Sequence, residues 1–143
     1  MSVEKTNAAL ATRWFDEVWN QRRTATIYEL MDARGVGTGQ DEPGVTINGP
    51  EDFARLHARI LGAFPDFKLN AEDIIASGDK VVVRWSCTAT HTGDHLGMPA
   101  TGRPVTFGGI SIQQYKDGKL IRGWDNWDQL GLQQQLTTQA ATA

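Results

Sequence analysis

The feature that most constrains this chain is a change of period near Phe67. Before it, apolar residues recur every three to four positions; after it they alternate. The first pattern marks amphipathic helix and the second half-buried strand. Between Thr6 and Asn20, Leu10, Trp14 and Val18 form a stripe that Ala11 and Phe15 widen. Thr6 is the expected N-cap, and Asn20-Gln21 the expected end. Ile27, Leu30 and Met31 predict a shorter helix over Thr24 to Asp32. Five glycines and a proline between Arg34 and Gly49 predict loop with at most short strands. Pro50 suits a first helical turn, Glu51 and Asp52 suit the positive end of the helix dipole, and Pro65 stops the helix. Its apolar face is Phe53, Leu56, Ile60, Leu61 and Phe64.

Four strands follow, over Lys68–Ala76, Lys80–Thr90, Arg103–Tyr115 and Lys119–Asp128. Ser77-Gly78-Asp79 and Lys116-Asp117-Gly118 read as hairpin turns, and His91 to Gly102 as a long loop. Gly131 to Leu136 closes as a short helix, and the small polar residues 137–143 are expected to fray. Helices followed by consecutive antiparallel strands predict an α+β domain with the helices gathered on one sheet face. With 143 residues, one domain spanning 1–143 is expected, ordered over about 6–136. A twisted sheet capped by helices leaves a cone-like cavity, so function is expected from a pocket.

Charge narrows the partners. Lys plus Arg number 14 against 17 acids, a net charge of −3, which argues against nucleic acid. No apolar run is long enough for a membrane helix, and the N-terminus lacks a signal peptide's apolar core. A lone cysteine, Cys87, excludes an internal disulfide and a multi-cysteine metal cluster. A cytoplasmic protein without metal or cofactor is expected.

Strand parity sorts the site candidates. Ile121, Gly123, Asp125 and Trp127 share one face of the last strand; Leu120, Arg122, Trp124, Asn126 and Asp128 share the other. On the preceding strand Val105, Phe107, Gly109, Ser111, Gln113 and Tyr115 share a face, which sets Asp125 near Ser111 if the faces match. A carboxylate desolvated among tryptophans has a raised pKa and serves as a general acid or base. The bland alternative is an Asp125 that caps a turn or pairs with an arginine. His57 lies on the apolar face of its helix, either projecting into the pocket or bonded within the core. His91 and His95 stand four apart, but Gly93 argues for loop and no third ligand accompanies them. The tryptophans at 14, 19, 85, 124 and 127 suit core packing, subunit contact or a flat wall for a ring-containing ligand. Cys87 alternates with buried neighbours as a structural thiol.

Several blocks in order carry a resemblance. They are FDEVWNQ, AFPDFKLNAEDIIASGDKVVVRW, ATHTGDHLGMPATGRPVTFGGI and DGKLIRGWDNWDQLGLQQQL. Together, across most of Ala9 to Leu136, they resemble the SnoaL-like polyketide cyclases, or ester cyclases. The resemblance implies the ketosteroid-isomerase-like fold of the nuclear transport factor two superfamily. That fold is a curved mixed, mainly antiparallel sheet wrapped around a cone-shaped pocket, and it implies a homodimer or higher oligomer through the open sheet face. It also implies that Asp125 is the general acid/base of a metal-free intramolecular aldol closure. Trp14, His57, Trp85, Phe107, Ser111 and Trp127 are the expected substrate-binding residues. Three departures stand out. Gly123 replaces a frequent histidine, Ser111 is a small hydroxyl where histidine is common, and Arg34 to Gly39 replaces an aspartate-histidine pair. His57 is expected to replace those imidazoles in part.

Two functions of different class follow. One is an acid/base enzyme acting on a small, largely apolar carbonyl compound through Asp125. Cyclisation, isomerisation, dehydration and hydrolysis would all use the same carboxylate. The other is a binding module that holds an apolar ligand without turnover, which the missing histidines favour. A purely structural oligomerisation domain suits a cavity-forming fold less well.

Overall fold

The computed structural model of the chain describes residues 2–137; of the tail 137–143 expected to fray, Thr137 instead ends the last helix and the rest lies outside the described residues. Helix α1 (Val3–Arg13) begins earlier than Thr6, because Ser2 is extended and its hydroxyl accepts the Lys5 N–H at 3.2 Å. From Trp14 to Asn20 the helix continues in π form. Each π turn holds more residues than an α turn, so positions five apart, such as Trp14 and Trp19, come onto one side. Both rings stack edge-on against Phe53, with centroids 5.0 and 6.1 Å away. Glu17 anchors the segment, accepting from Arg13 at 2.7 Å, Arg23 at 2.9 Å and the Thr26 hydroxyl at 2.8 Å. The Arg13 and Thr26 bonds hold its pKa down at about 2.

Helix α2 (Thr24–Leu30) stops short of Asp32, because Met31 is already extended. Strand β1 (Met31–Thr38) and strand β2 (Thr46–Asn48) follow. An eight-residue β1 corrects the expectation of loop there. Its glycines are places of close approach: a Cβ on Gly35 would meet the Met31 side chain at 3.0 Å, and one on Gly37 would meet Gln40. Helix α3 (Gly49–Ala63) carries Pro50 in its first turn and buries Phe53, Leu56 and His57. Strands β3 (Lys68–Ser77), β4 (Lys80–Thr90), β5 (Pro104–Lys116) and β6 (Lys119–Trp127) lead to helix α4 (Gln129–Thr137).

The six strands form one sheet in the order β2-β1-β6-β5-β4-β3. Every neighbouring pair is antiparallel except β1 with β6, which is parallel. Register shifts at Ala71/Asp73 in β3 and Gln114/Tyr115 in β5 interrupt the ladders, and such bulges bend and twist strands. The inner face, with Val81, Val83, Trp85, Val105, Phe107 and Tyr115 buried, is covered by the helices. No helix among the described residues is long and apolar enough to cross a membrane.

Candidate active site

Between the inner sheet face, the π-helical segment and α3 lies a cavity that opens to solvent at one side. Aromatic side chains dominate its walls: Trp14 and Trp19 from the π segment, Phe53 from α3, and Trp85, Phe107 and Trp127 from β4, β5 and β6. Trp127 and Phe107 are in contact, with ring centroids 5.4 Å apart. The Trp127 indole N–H donates to the Gly39 carbonyl at 3.0 Å, which fixes the ring over the pocket. Gly109 opposes Trp127 in the β5–β6 ladder, and a Cβ there would lie 2.5 Å from the Trp127 Cβ. A glycine is therefore required where the tryptophan crosses.

Among the described residues, Asp125 is the only ionisable side chain on the walls of this cavity. It stands directly opposite Ser111 in register, so the faces that strand parity defines do match. Its exposed surface belongs to the cavity wall, and protein surrounds the carboxyl group, so burial raises its pKa from 3.8 to about 6. A hydrogen bond from Ser111 holds it back somewhat. Ser111 in turn accepts the Trp85 indole N–H at 3.0 Å, so a serine, an aspartate and a tryptophan interlock across three strands. Such a carboxyl group exchanges its proton near neutrality, in surroundings that strengthen its interactions.

The structure gathers Trp14, Trp85, Phe107, Trp127 and Asp125 on one cavity, with Ser111 behind Asp125. It separates His57 from them. The imidazole is only 2% exposed and is absent from the cavity wall. Its Nε2–H donates to the Val18 carbonyl at 2.6 Å, and its ring packs against Trp19 at 5.2 Å. The carbonyl can only accept, so Nε2 carries the proton, and burial lowers the pKa below 6.5. His57 thus joins α3 to the π segment and replaces no missing imidazole of the pocket. Leu120 also moves. The bulge beside Tyr115 inserts Ile121 as the extra residue, and Leu120 joins the Asp125 side as a wall residue. Trp124 stays on the outer face, with the Arg122 guanidinium 5.0 Å above its ring.

His91 is buried, its Nδ1 accepting the Thr101 backbone N–H at 3.2 Å, whereas the His95 side chain is 56% exposed. Among the described residues no three His, Cys, Asp or Glu side chains gather as metal ligands. Cys87 is buried beside Phe107, and desolvation pushes its thiol up to about 12. The cavity also takes residues not singled out from the sequence. Gln113, on the parity face of Ser111, carried a usable signal. Gln40, in a glycine-rich stretch after β1, carried none.

A family model described as SnoaL-like polyketide cyclase matches residues 9–136. Aklanonic acid methyl ester cyclase DnrD of Streptomyces peucetius is 31% identical over 123 residues, covering 84% of this chain and 83% of its own. Among solved structures, TsrD from Streptomyces laurentii superposes with a TM-score of 0.80 at 26% identity, over 94% of this chain and 97% of that one. A protein of Jannaschia sp. CCS1, described as SnoaL-like polyketide cyclase, gives 0.88 at 22% identity over 98% and 97% of the two chains, a likeness of fold.

Proposed function

The chain belongs to the SnoaL-like polyketide cyclase family, and from that premise we propose that it is a cofactor-independent acid/base enzyme. Its substrate is a small apolar carbonyl compound of polyketide type, and Asp125 is the catalytic group. The observation that carries this reading is the lone carboxyl group in an aromatic cavity, with its pKa raised to about 6. At neutral pH the carboxylate takes a proton from the carbon between two carbonyl groups. The resulting enolate attacks a further carbonyl carbon, remote from those two in the same molecule, forming the ring bond. The new alkoxide then recovers the proton from Asp125, so the carboxylate is regenerated and no other reactant is consumed. The flat aromatic walls hold a ring-forming chain folded and exclude water, which favours closure over hydrolysis. The same proton transfers serve isomerase or lyase chemistry.

One observation favours a second reading, a ligand carrier: no histidine lines the cavity among the described residues. The two readings separate in one experiment. Wild type is screened for thermal stabilisation by ring ketones, lactones and polyketide-like esters, and hits are incubated and analysed by mass spectrometry. The enzyme reading expects product from wild type and none from Asp125→Asn. Binding by both proteins without product from either supports the carrier, and equal turnover by both removes Asp125 from the chemistry.

The proposal includes a homodimer through the outer sheet face. Ile75, Val82, Ile112 and Trp124 are successive cross-strand partners there and make an apolar row across β3, β4, β5 and β6. Ile75 is 61% exposed, and the neighbouring Ile110 is 47% exposed.

A further inference from the structure

Among the described residues only two buried side-chain polar atoms lack a hydrogen-bond partner, Gln40 Oε1 and His91 Nε2. His91 lies away from the cavity wall, whereas Gln40 is part of it. The Gln40 carboxamide lies across a pair of glycines, Gly37 of β1 and Gly123 of β6, which face each other in the parallel ladder. A Cβ on Gly37 would come within 2.6 Å of Gln40 Oε1, and one on Gly123 within 3.3 Å of Nε2. Gly123 and Asp125 point from the same face of β6, so the carboxamide is the next polar group along the strand from the carboxylate.

The backbone on either side of Gln40 is pinned. Gly39 accepts the Trp127 N–H, Asp41 accepts the Gln129 side-chain N–H at 2.9 Å, and the Asp41 carboxylate pairs with Arg59 at 2.5 Å. The last torsion of a glutamine is soft, so the amide can turn towards the cavity while its stem stays fixed. A buried carbonyl oxygen without a donor is an unfavourable state for the free protein, and a ligand donor relieves it. Gln113 is complementary. Its Oε1 is occupied by the Tyr115 hydroxyl at 2.6 Å, which leaves Nε2–H as its free group. The wall therefore offers an acceptor at Gln40, a donor at Gln113 and a titrating acid at Asp125, with no cation among the described residues.

We propose that Gln40 is a substrate-binding residue that accepts a hydrogen bond from a hydroxyl group of the ligand. The site thereby selects enolisable ring ketones bearing a phenolic or enolic hydroxyl over the same ketones without a free hydroxyl. Gln113 donates to a ligand carbonyl, and the absence of a cation on the wall disfavours carboxylated relatives. The inference deepens the acid/base reading of Asp125 and rests on the same cavity.

Its test uses 1-tetralones carrying a hydroxyl at each ring position that leaves it free of the ketone, each against its methoxy counterpart. Dissociation constants are measured by calorimetry, and exchange of the α-protons into deuterated water by NMR. At least one hydroxytetralone should bind wild type about tenfold tighter than its methoxy partner. In Gln40→Leu that ratio should collapse to within about twofold, while Gln40→Glu, which keeps an acceptor, should retain a preference for the hydroxyl compound. A merely structural Gln40 would weaken both members of the pair together and lower the melting temperature without moving the ratio. That result overturns the proposal, as does wild type that prefers no hydroxytetralone. Exchange in wild type and Asp125→Asn reports separately on the acid/base reading. If exchange is absent from both while the Gln40-dependent ratio persists, the catalytic reading fails and the ligand class stands.

Discussion

Asp125 couples two pH dependences of opposite consequence. As the base proposed above it would work when ionised, so turnover should rise with pH through about 6 and then level off. For stability the sign is reversed. The unfolded carboxyl ionises near 3.8 and the folded one near 6, so between those values the folded state binds the extra proton. Stability therefore falls as pH rises across that window. The difference is worth at most about 3 kcal/mol. Asp125→Asn should accordingly melt higher than wild type at pH 8 and lose that advantage below about pH 4; a lower melting point at pH 8 would contradict the burial argument. His57 has the contrary sign. Its folded pKa lies below 6.5, so its contribution is present above 6.5 and is lost as pH falls from there to the lowered folded pKa. His57→Leu should cost about 2 to 4 kcal/mol by denaturant melts, through the lost bond to Val18 and poorer packing. The pH profile of turnover should keep its midpoint, because the imidazole is outside the cavity.

At the scale of elements, what sequence made legible was period and parity. Alternation places β3 to β6 within a residue or two, and it sets Asp125 near Ser111 if the faces match, a condition the β5–β6 ladder meets. It failed where backbone contact replaced side-chain pattern. Strand β1 reads as loop because Gly35 and Gly37 present no alternating apolar set, although they are there to admit Met31 and Gln40. Leu120 fell on the wrong face because one inserted residue inverts parity beyond a bulge. Gln40 carries no signal in the sequence because its setting depends on Gly123, far along the chain, and no local period encodes that. His57 was placed correctly on an apolar stripe, but a stripe does not distinguish core from cavity. These glycines give a test at the same scale. Gly109→Ala drives a methyl group into Trp127 and the Asn126 carbonyl, at 2.5 and 2.6 Å. It should destabilise by roughly 2 kcal/mol or more and shift the tryptophan fluorescence, since Trp127 must leave its place over the pocket. An unaltered spectrum would mean that β5 and β6 separate instead.

For the whole molecule, the row from Ile75 to Trp124 is apolar surface with no covering element among the described residues. Ile112→Glu sets a charge in the middle of that row, next to Val82 and Trp124. Light scattering after gel filtration should find wild type at twice the chain mass and the variant at the chain mass, with the inner-face cavity undisturbed. A wild type of single-chain mass would remove the dimer. The sheet order has another consequence, for the timing of assembly. Of the six strands, the one synthesised last is not an edge: β6 stands between β1 and β5. Until β6 has left the ribosome, β1 and β2 have no sheet to join, and β3, β4 and β5 end in an open ladder. The two halves of the molecule then close together on the strand that carries Asp125. Folding is accordingly dominated by late, distant pairings, and the acid enters its aromatic surroundings only when the rest of the sheet is complete.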